Sequence, residues 1–186
     1  MYFSDYAVTN ETVGIPSEAV KTLAENDAVE SVSTTRLSVF MPGAGDILPF
    51  ETDLSVQSHE TLQLVNVDEA QLQIYAPNLS AQDKQALKDG TGCLVKNPIA
   101  FSYGDTTVQQ TDLTVGDTIQ LGDRTLPVLG LIDTAITINN DGFTNGVQLI
   151  VNDEIYCSLL GNDSYSEVYP TLQDNADTDT FESWLD

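Results

Sequence analysis

Positive charge is what this 186-residue chain has least of, with six Lys and Arg against 29 Asp and Glu and a formal net charge of −23. The six are Lys21, Arg36, Lys84, Lys88, Lys96 and Arg124, and after Arg124 only acids follow, from Asp133 to Asp186. A protein that holds nucleic acid or an anionic lipid surface must bring positive charge to phosphates, and this composition repels them. Those partners are set aside. The acidity leaves two readings: solubility in a salty habitat, or a surface that attracts cationic peptides or drugs.

Cysteine and histidine are nearly missing as well. Cys93 and Cys157 are too few for a disulfide framework and stand in no metal-ligand spacing. One disulfide or two buried thiols both remain open. The single histidine, His59, lies between Ser58 and Glu60 in "SVQSHETLQ". Neighbours on a strand point to opposite faces, so these three form no relay, and a surface position is expected. Cys93 has only His59 as a candidate base, and that lies far along the chain. "KDGTGC" reads Asp-Gly-Thr-Gly, not the Asp-Thr-Gly of an aspartic protease, and has no second copy. No G-x-x-x-x-G-K-[ST] phosphate loop occurs. No catalytic or cofactor-binding residue is identified, and the expectation is a protein that is not an enzyme.

Long apolar runs are absent too. No stretch of eighteen residues could span a bilayer, and "MYFSDYAVTNETVG" lacks the basic start and apolar middle of a signal peptide. The ending "DTDTFESWLD" suits a domain cut from a longer polypeptide. Its acids Asp174, Asp177, Asp179 and Glu182 lack the central glycine of a calcium loop and read as an acid-rich helix N-terminus. Asn139, Asn140 and Asp141 in "NNDGFTNG" read as a hairpin loop, not a ligand set. The Asn-x-Ser/Thr triplets at Asn10, Asn78 and Asn162 would accept glycans only in a eukaryotic secretory pathway.

What is present is a globular pattern, 41% hydrophobic and long enough for a core. "GIPSEAVKTLAEN" predicts a helix capped by Ser17, with Ala19, Val20, Leu23 and Ala24 as its apolar stripe. "AVESVSTTRLSVFM" predicts a strand that Pro42 ends, and "TLQLVNVD" another with Leu62, Leu64 and Val65 inward. "SAQDKQALKDG" is a helix from Ser80, with Asp83 three residues on, to Gly90, and "CLVKN" a brief strand. In "TVGDTIQLGDRTLPVLGLID" two Gly-Asp turns frame a short strand, because Gly accepts positive φ and Asp bonds its own backbone. The strand that follows has a bulge or free edge at Pro127. "VQLIV" reads as a strand covered on both faces. "NDEIYCSLLG" is a capped helix, "SEVYPTL" a strand and "DTDTFESWL" a helix with Phe181, Trp184 and Leu185 on one face. The expected class is α+β: a discontinuous α/β lobe from both termini (1–75 plus 147–186) with an inserted β-rich lobe (76–146).

Four of these stretches resemble the extracytoplasmic core domain of MacB/FtsX-type ABC transporter permeases. "AVKTLAENDAVESVS" is similar to the opening helix and strand, and "LKDGTGCLVKN" to the step that follows. "TVGDTIQLGDRTLPVLGLID" is similar to the family's most recognisable run. "QLIVNDEIYCSLLG" with "EVYPTLQDNADTDTFESWL" resembles its closing strand–helix–strand–helix. The strong acidity departs from that pattern, and "PGAGDILPFETDLSVQSHE" has no counterpart in it.

The resemblance implies a two-lobed, non-catalytic domain outside a bacterial cell membrane, between transmembrane helices of its own permease and served by a separate ATPase. It implies contact with an exported substrate or an envelope partner, and a Gram-positive surface is favoured. A stiff lobe of tight turns and short strands would pass on displacement. Phe101 and Tyr103, in "IAFSYGD", are the candidate substrate contacts. The alternative is a free-standing cell-surface ligand-binding module.

Overall fold

A computed structural model describes residues 4, 6–10, 13–56, 60–99, 101–103, 106–108, 111–138 and 146–185, with backbone alone for 101–103 and 106–108. The chain divides into two compact units, Met1–Arg36 with Asp163–Asp186, and Leu37–Asn162. The class is α+β, as the sequence pattern predicts.

The unit made from both ends holds β1 (Val8–Thr9), α1 (Ser17–Ala24), the first eight residues of β2 (Val29–Phe40), β10 (Glu167–Leu172) and α5 (Thr178–Leu185). β10 pairs antiparallel with β1 on one side and β2 on the other. Its core is Ile15, Leu23, Val29, Val168 and Phe181, with Tyr6 set edge-on to Phe181 at 5.4 Å. Of the predicted α1 stripe only Leu23 is fully buried. Ser17 is not its cap. Pro16 holds that position with no side-chain bond, and Ser17 Oγ instead donates to Asp163 Oδ2 at 3.0 Å. Proline has already fixed the extended φ that a cap residue needs, so Ser17 enters the first turn. On α5, Phe181 is buried while Trp184, stacked on it at 6.1 Å, and Leu185 stay largely exposed.

The central unit carries the rest of β2 and a 3-10 turn at Pro42–Ala44. It continues through β3 (Leu62–Val67), α2 (Glu69–Tyr75), α3 (Ala81–Lys88), β4 (Cys93–Lys96), β5 (Phe101–Tyr103) and β6 (Thr106–Val108). β7 (Thr118–Leu121), β8 (Arg124–Leu131), β9 (Val147–Ile150) and α4 (Asp153–Leu160) complete it. Its main sheet runs β2-β3-β9-β4-β8-β7, and β5-β6 form a separate ribbon. Leu62 and Leu64 face one core with Val95, Ile119, Leu121, Leu149 and Ile155; Val65, Leu94 and Ile150 face a second with Leu72, Leu87 and Ile136. β3, β4 and β9 are thus covered on both faces, as continuous apolar runs require.

Local signals place the helices. Ser80 and Asn152 cap α3 and α4, accepting from Asp83 N at 3.1 Å and Ile155 N at 2.9 Å. Gly90 and Gly161 end them with φ of 68° and 62°. Asp68 caps α2, an element the sequence reading passes over, accepting from Gln71 N at 3.0 Å. At Pro127 the ladder continues to β7, and the β4–β8 register slips just beyond it, between Cys93 and Leu94.

The units divide at 36 and 163, whereas the sequence pattern sets the divide at 75 and 147. The reason is strand pairing. β3 and β9, assigned from sequence to the terminal lobe, pair with each other, and β9 pairs with β4, all inside Leu37–Asn162.

Candidate functional site: the loop-bearing end of the central sheet

The strand directions gather several connections at one place. β3 and β9 are parallel, β4 runs against β9, and β8 runs with β4. The starts of β3 and β9 therefore meet the ends of β4 and β8 at one end of the sheet. The Gly-Asp turn before β7 joins them, since Gly116 N donates to Val128 O at 2.9 Å and Val128 N to Asp117 O at 2.8 Å. The β5-β6 ribbon follows β4 from this same end.

Side-chain amides fix these connections to the sheet. Gln63 and Gln148 are register partners on β3 and β9, each 1% exposed. Gln148 Oε1 accepts from Ile136 N at 2.8 Å, while its Nε2 donates to Ile136 O and to Gln63 Oε1, both at 2.7 Å. Gln63 Nε2 donates to Thr61 Oγ1 at 2.7 Å. Gln148 thus does for Ile136 what a neighbouring strand would do, and it satisfies both of its backbone groups in a dry core.

Asn97 repeats the device. Its Nδ2 donates to Leu113 O at 2.8 Å and its Oδ1 accepts from Leu113 N at 3.0 Å. Asp117 Oδ2 then accepts from Thr114 N at 2.8 Å and Thr114 Oγ1 at 3.0 Å, and these bonds hold its carboxyl below the usual range. Gly116 closes the turn at φ 95°. Gly146 admits β9 beside Thr61, whose Oγ1 and carbonyl would overlap any Cβ there.

Lys96 sits opposite Gln148 on β4 and is also buried, and that burial lowers the pKa of its amine. The charges exposed at this end among the described residues are therefore acids: Asp112, Asp117 and Asp133. Three exposed aliphatic side chains belong to the same connections and strand ends: Ile99, Val115 and Leu131, at 54%, 62% and 45%. Arg124 lies at the other end, paired with Glu154 at 2.7 Å.

The candidate contacts Phe101 and Tyr103 fall on β5, paired by register with Val108 and Thr106, and their side chains lie outside the described residues. So do His59 and the 139–141 loop residues. Both cysteines are thiols, Cys93 buried and Cys157 half-buried. Among the described residues no group of three His, Cys, Asp or Glu could hold a metal ion, and no helix is long and apolar enough to cross a membrane. The amide clamp is a feature that sequence reasoning passes over. Its signal is a glutamine at the second place of two otherwise apolar strands, "LQLV" and "VQLI".

No family model matches the chain, and no curated protein does. Solved structures do. The extracellular domain of the noncanonic ABC-type transporter YknZ from Gram-positive bacteria superposes with a TM-score of 0.53 at 10% identity, over 96% of this chain and 85% of that one. The periplasmic region of MacB from Actinobacillus actinomycetemcomitans gives 0.50 at 11% identity, over 96% and 72%. This chain has the MacB/YknZ extracytoplasmic fold. Both neighbours are parts of transporters that lie outside the cytoplasm.

Proposed function

We propose that this chain is the extracellular domain of an ABC transporter permease, non-catalytic, which passes on conformational change and contacts an exported substrate or an envelope partner. Superposition on the YknZ domain over 96% of the chain carries this reading. It implies transmembrane helices in the same permease and an ATPase, separate or fused, on the cytoplasmic side. The central unit, Leu37–Asn162, is the contact-bearing part, with Phe101 and Tyr103 on the ribbon as candidate contacts. The amide clamps suit transmission, because a segment tied at both backbone groups moves with the sheet and does not bend away from it.

Two measurements test the reading. The gene around residues 1–186 is expected to encode apolar helices on both sides, with an ATPase beside it. In intact cells a cysteine placed at exposed Thr134 should react with a membrane-impermeant maleimide. A reading frame carrying only a signal peptide would make the chain a free-standing ligand-binding module, and protection of the cysteine until lysis would remove the extracellular placement.

A further inference from the structure

We propose that residues 48–56 are a strap held one step short of pairing, which closes onto β7 as an added edge strand when the Asp53 carboxylate releases Gln120. The inference goes beyond the permease reading and does not rest on it.

The segment has a strand's pattern without a strand's bonds. Leu48, Phe50, Thr52, Leu54 and Val56 are buried or half-buried, and Pro49, Glu51, Asp53 and Ser55 between them are exposed. That period of two is the mark of a half-buried strand. Phe50 meets Phe40 edge-on at 5.8 Å, and Leu48, Leu54 and Val56 pack against the core that holds Ile119 and Leu121. Yet among the described residues its one link to a strand ladder is an isolated antiparallel bridge, Thr52 with Leu121.

β7 is where a further strand would go. It ends the sheet order, and β8 takes only one side of it. The hairpin register sets Leu121 opposite Arg124 and Ile119 opposite Leu126, which turns the backbone groups of Thr118, Gln120 and Gly122 away from β8. Gly122 N donates to Glu51 O at 2.8 Å, as a ladder with the strap requires. The next rung fails. A ladder would bring Gln120 N to the main-chain carbonyl of Asp53, but it donates to Asp53 Oδ1 at 2.9 Å. Beside it, Thr52 Oγ1 accepts from Leu54 N at 3.2 Å. Side chains that bond nearby backbone compete with ladder formation, and a charge on an edge is a common guard against strand addition.

The register beyond that stop is already favourable. Carried on from the Thr52–Leu121 bridge, it sets Leu54 opposite Ile119 and Ser55 opposite Thr118, the latter two exchanging both backbone bonds. Leu54 and Ile119 belong to one core, while Ser55 and Thr118 are both exposed, so closing keeps the same face inward.

Amide exchange and cross-strand proton contacts in the 186-residue chain test the strap. In the parent, the Gln120 and Gly122 amides are expected to be protected and those of Ser55 and Thr118 to exchange freely. Asp53→Ala removes the competing oxygen. Exchange at Ser55 and Thr118 should then slow by about tenfold or more, with Gln120 still protected by its new carbonyl partner and a contact appearing between the α-protons of Leu54 and Ile119. Asp53→Asn keeps an acceptor in the same place and should behave as the parent. Asp53 is exposed, so an unchanged melting temperature verifies that both variants fold. Loss of protection at Gln120 without a gain at Ser55 and Thr118 would make Asp53 a pin and overturn the proposal. Protection of Ser55 and Thr118 already in the parent, equal behaviour of the two variants, or a gain that sedimentation traces to self-association through β7 would overturn it as well.

Discussion

Cys93 carries the consequence of burial for one ionisable group. Desolvation pushes its thiol pKa up to about 12, while an unfolded cysteine titrates near 8.5. The folded chain therefore keeps a proton that the unfolded chain gives up, and stability from this group is full below about pH 8.5 and lost as pH rises toward 12. Lys96 works in the opposite sense below its ordinary value, because its pKa is lowered and the unfolded chain binds the extra proton there. A comparison with Cys93→Ala isolates the thiol. The stability advantage of the parent over the variant is expected to shrink between pH 9 and 12, with a slope of up to about 1.4 kcal/mol per pH unit. Denaturant melts of both proteins across that range measure it, and a constant difference would refute the desolvated thiol. Sequence left the cysteines open between a bond and two thiols because pairing depends on where two distant segments meet.

At the scale of elements, the Gln63–Gln148 pair holds the connection after β8 against β9. In Gln148→Leu the volume is nearly kept, but Ile136 N, Ile136 O and Gln63 Oε1 lose a partner in a site without water access. Unsatisfied buried groups cost about 1–3 kcal/mol each. A loss of at least about 3 kcal/mol is expected, with amide exchange faster at Ile136 and unchanged at α3. A neutral variant would mean that the clamp is dispensable.

The contrast with α3 shows what the sequence disclosed. Ser80, Asp83 and Gly90 mark that helix within ten residues, and the Gly-Asp turns around β7 are equally local, so all were legible. α2 is short and its cap, Asp68, follows the strand β3 directly, so the element merged with the strand in the sequence pattern. The clamp and the division at residues 36 and 163 depend on which strands pair across more than eighty residues, and no local pattern encodes that. Of the candidate site, the Gly-Asp turn was visible, and the amides that secure its neighbours were not.

For the whole molecule the strongest electrostatic effect is self-repulsion. A net charge of −23 on 186 residues raises the energy of the compact state more than that of the expanded chain, where like charges stand farther apart. The Debye length falls from about 30 Å at 0.01 M salt to about 3 Å at 1 M, so added salt relieves the folded state preferentially. The ion pairs of Lys21 with Glu18 and of Arg124 with Glu154 are exposed and worth little. The melting temperature is therefore expected to rise with NaCl between about 0.01 M and 0.5 M. For a chain of this length each kcal/mol relieved corresponds to about 2–4 °C. Sucrose, which favours burial by exclusion and leaves charge unscreened, separates the two causes. A melting temperature that stays flat in NaCl, or rises equally in sucrose, would show that repulsion does not limit this fold. A rise with NaCl alone would show that this surface charge, which keeps the chain soluble, is carried at a cost in stability.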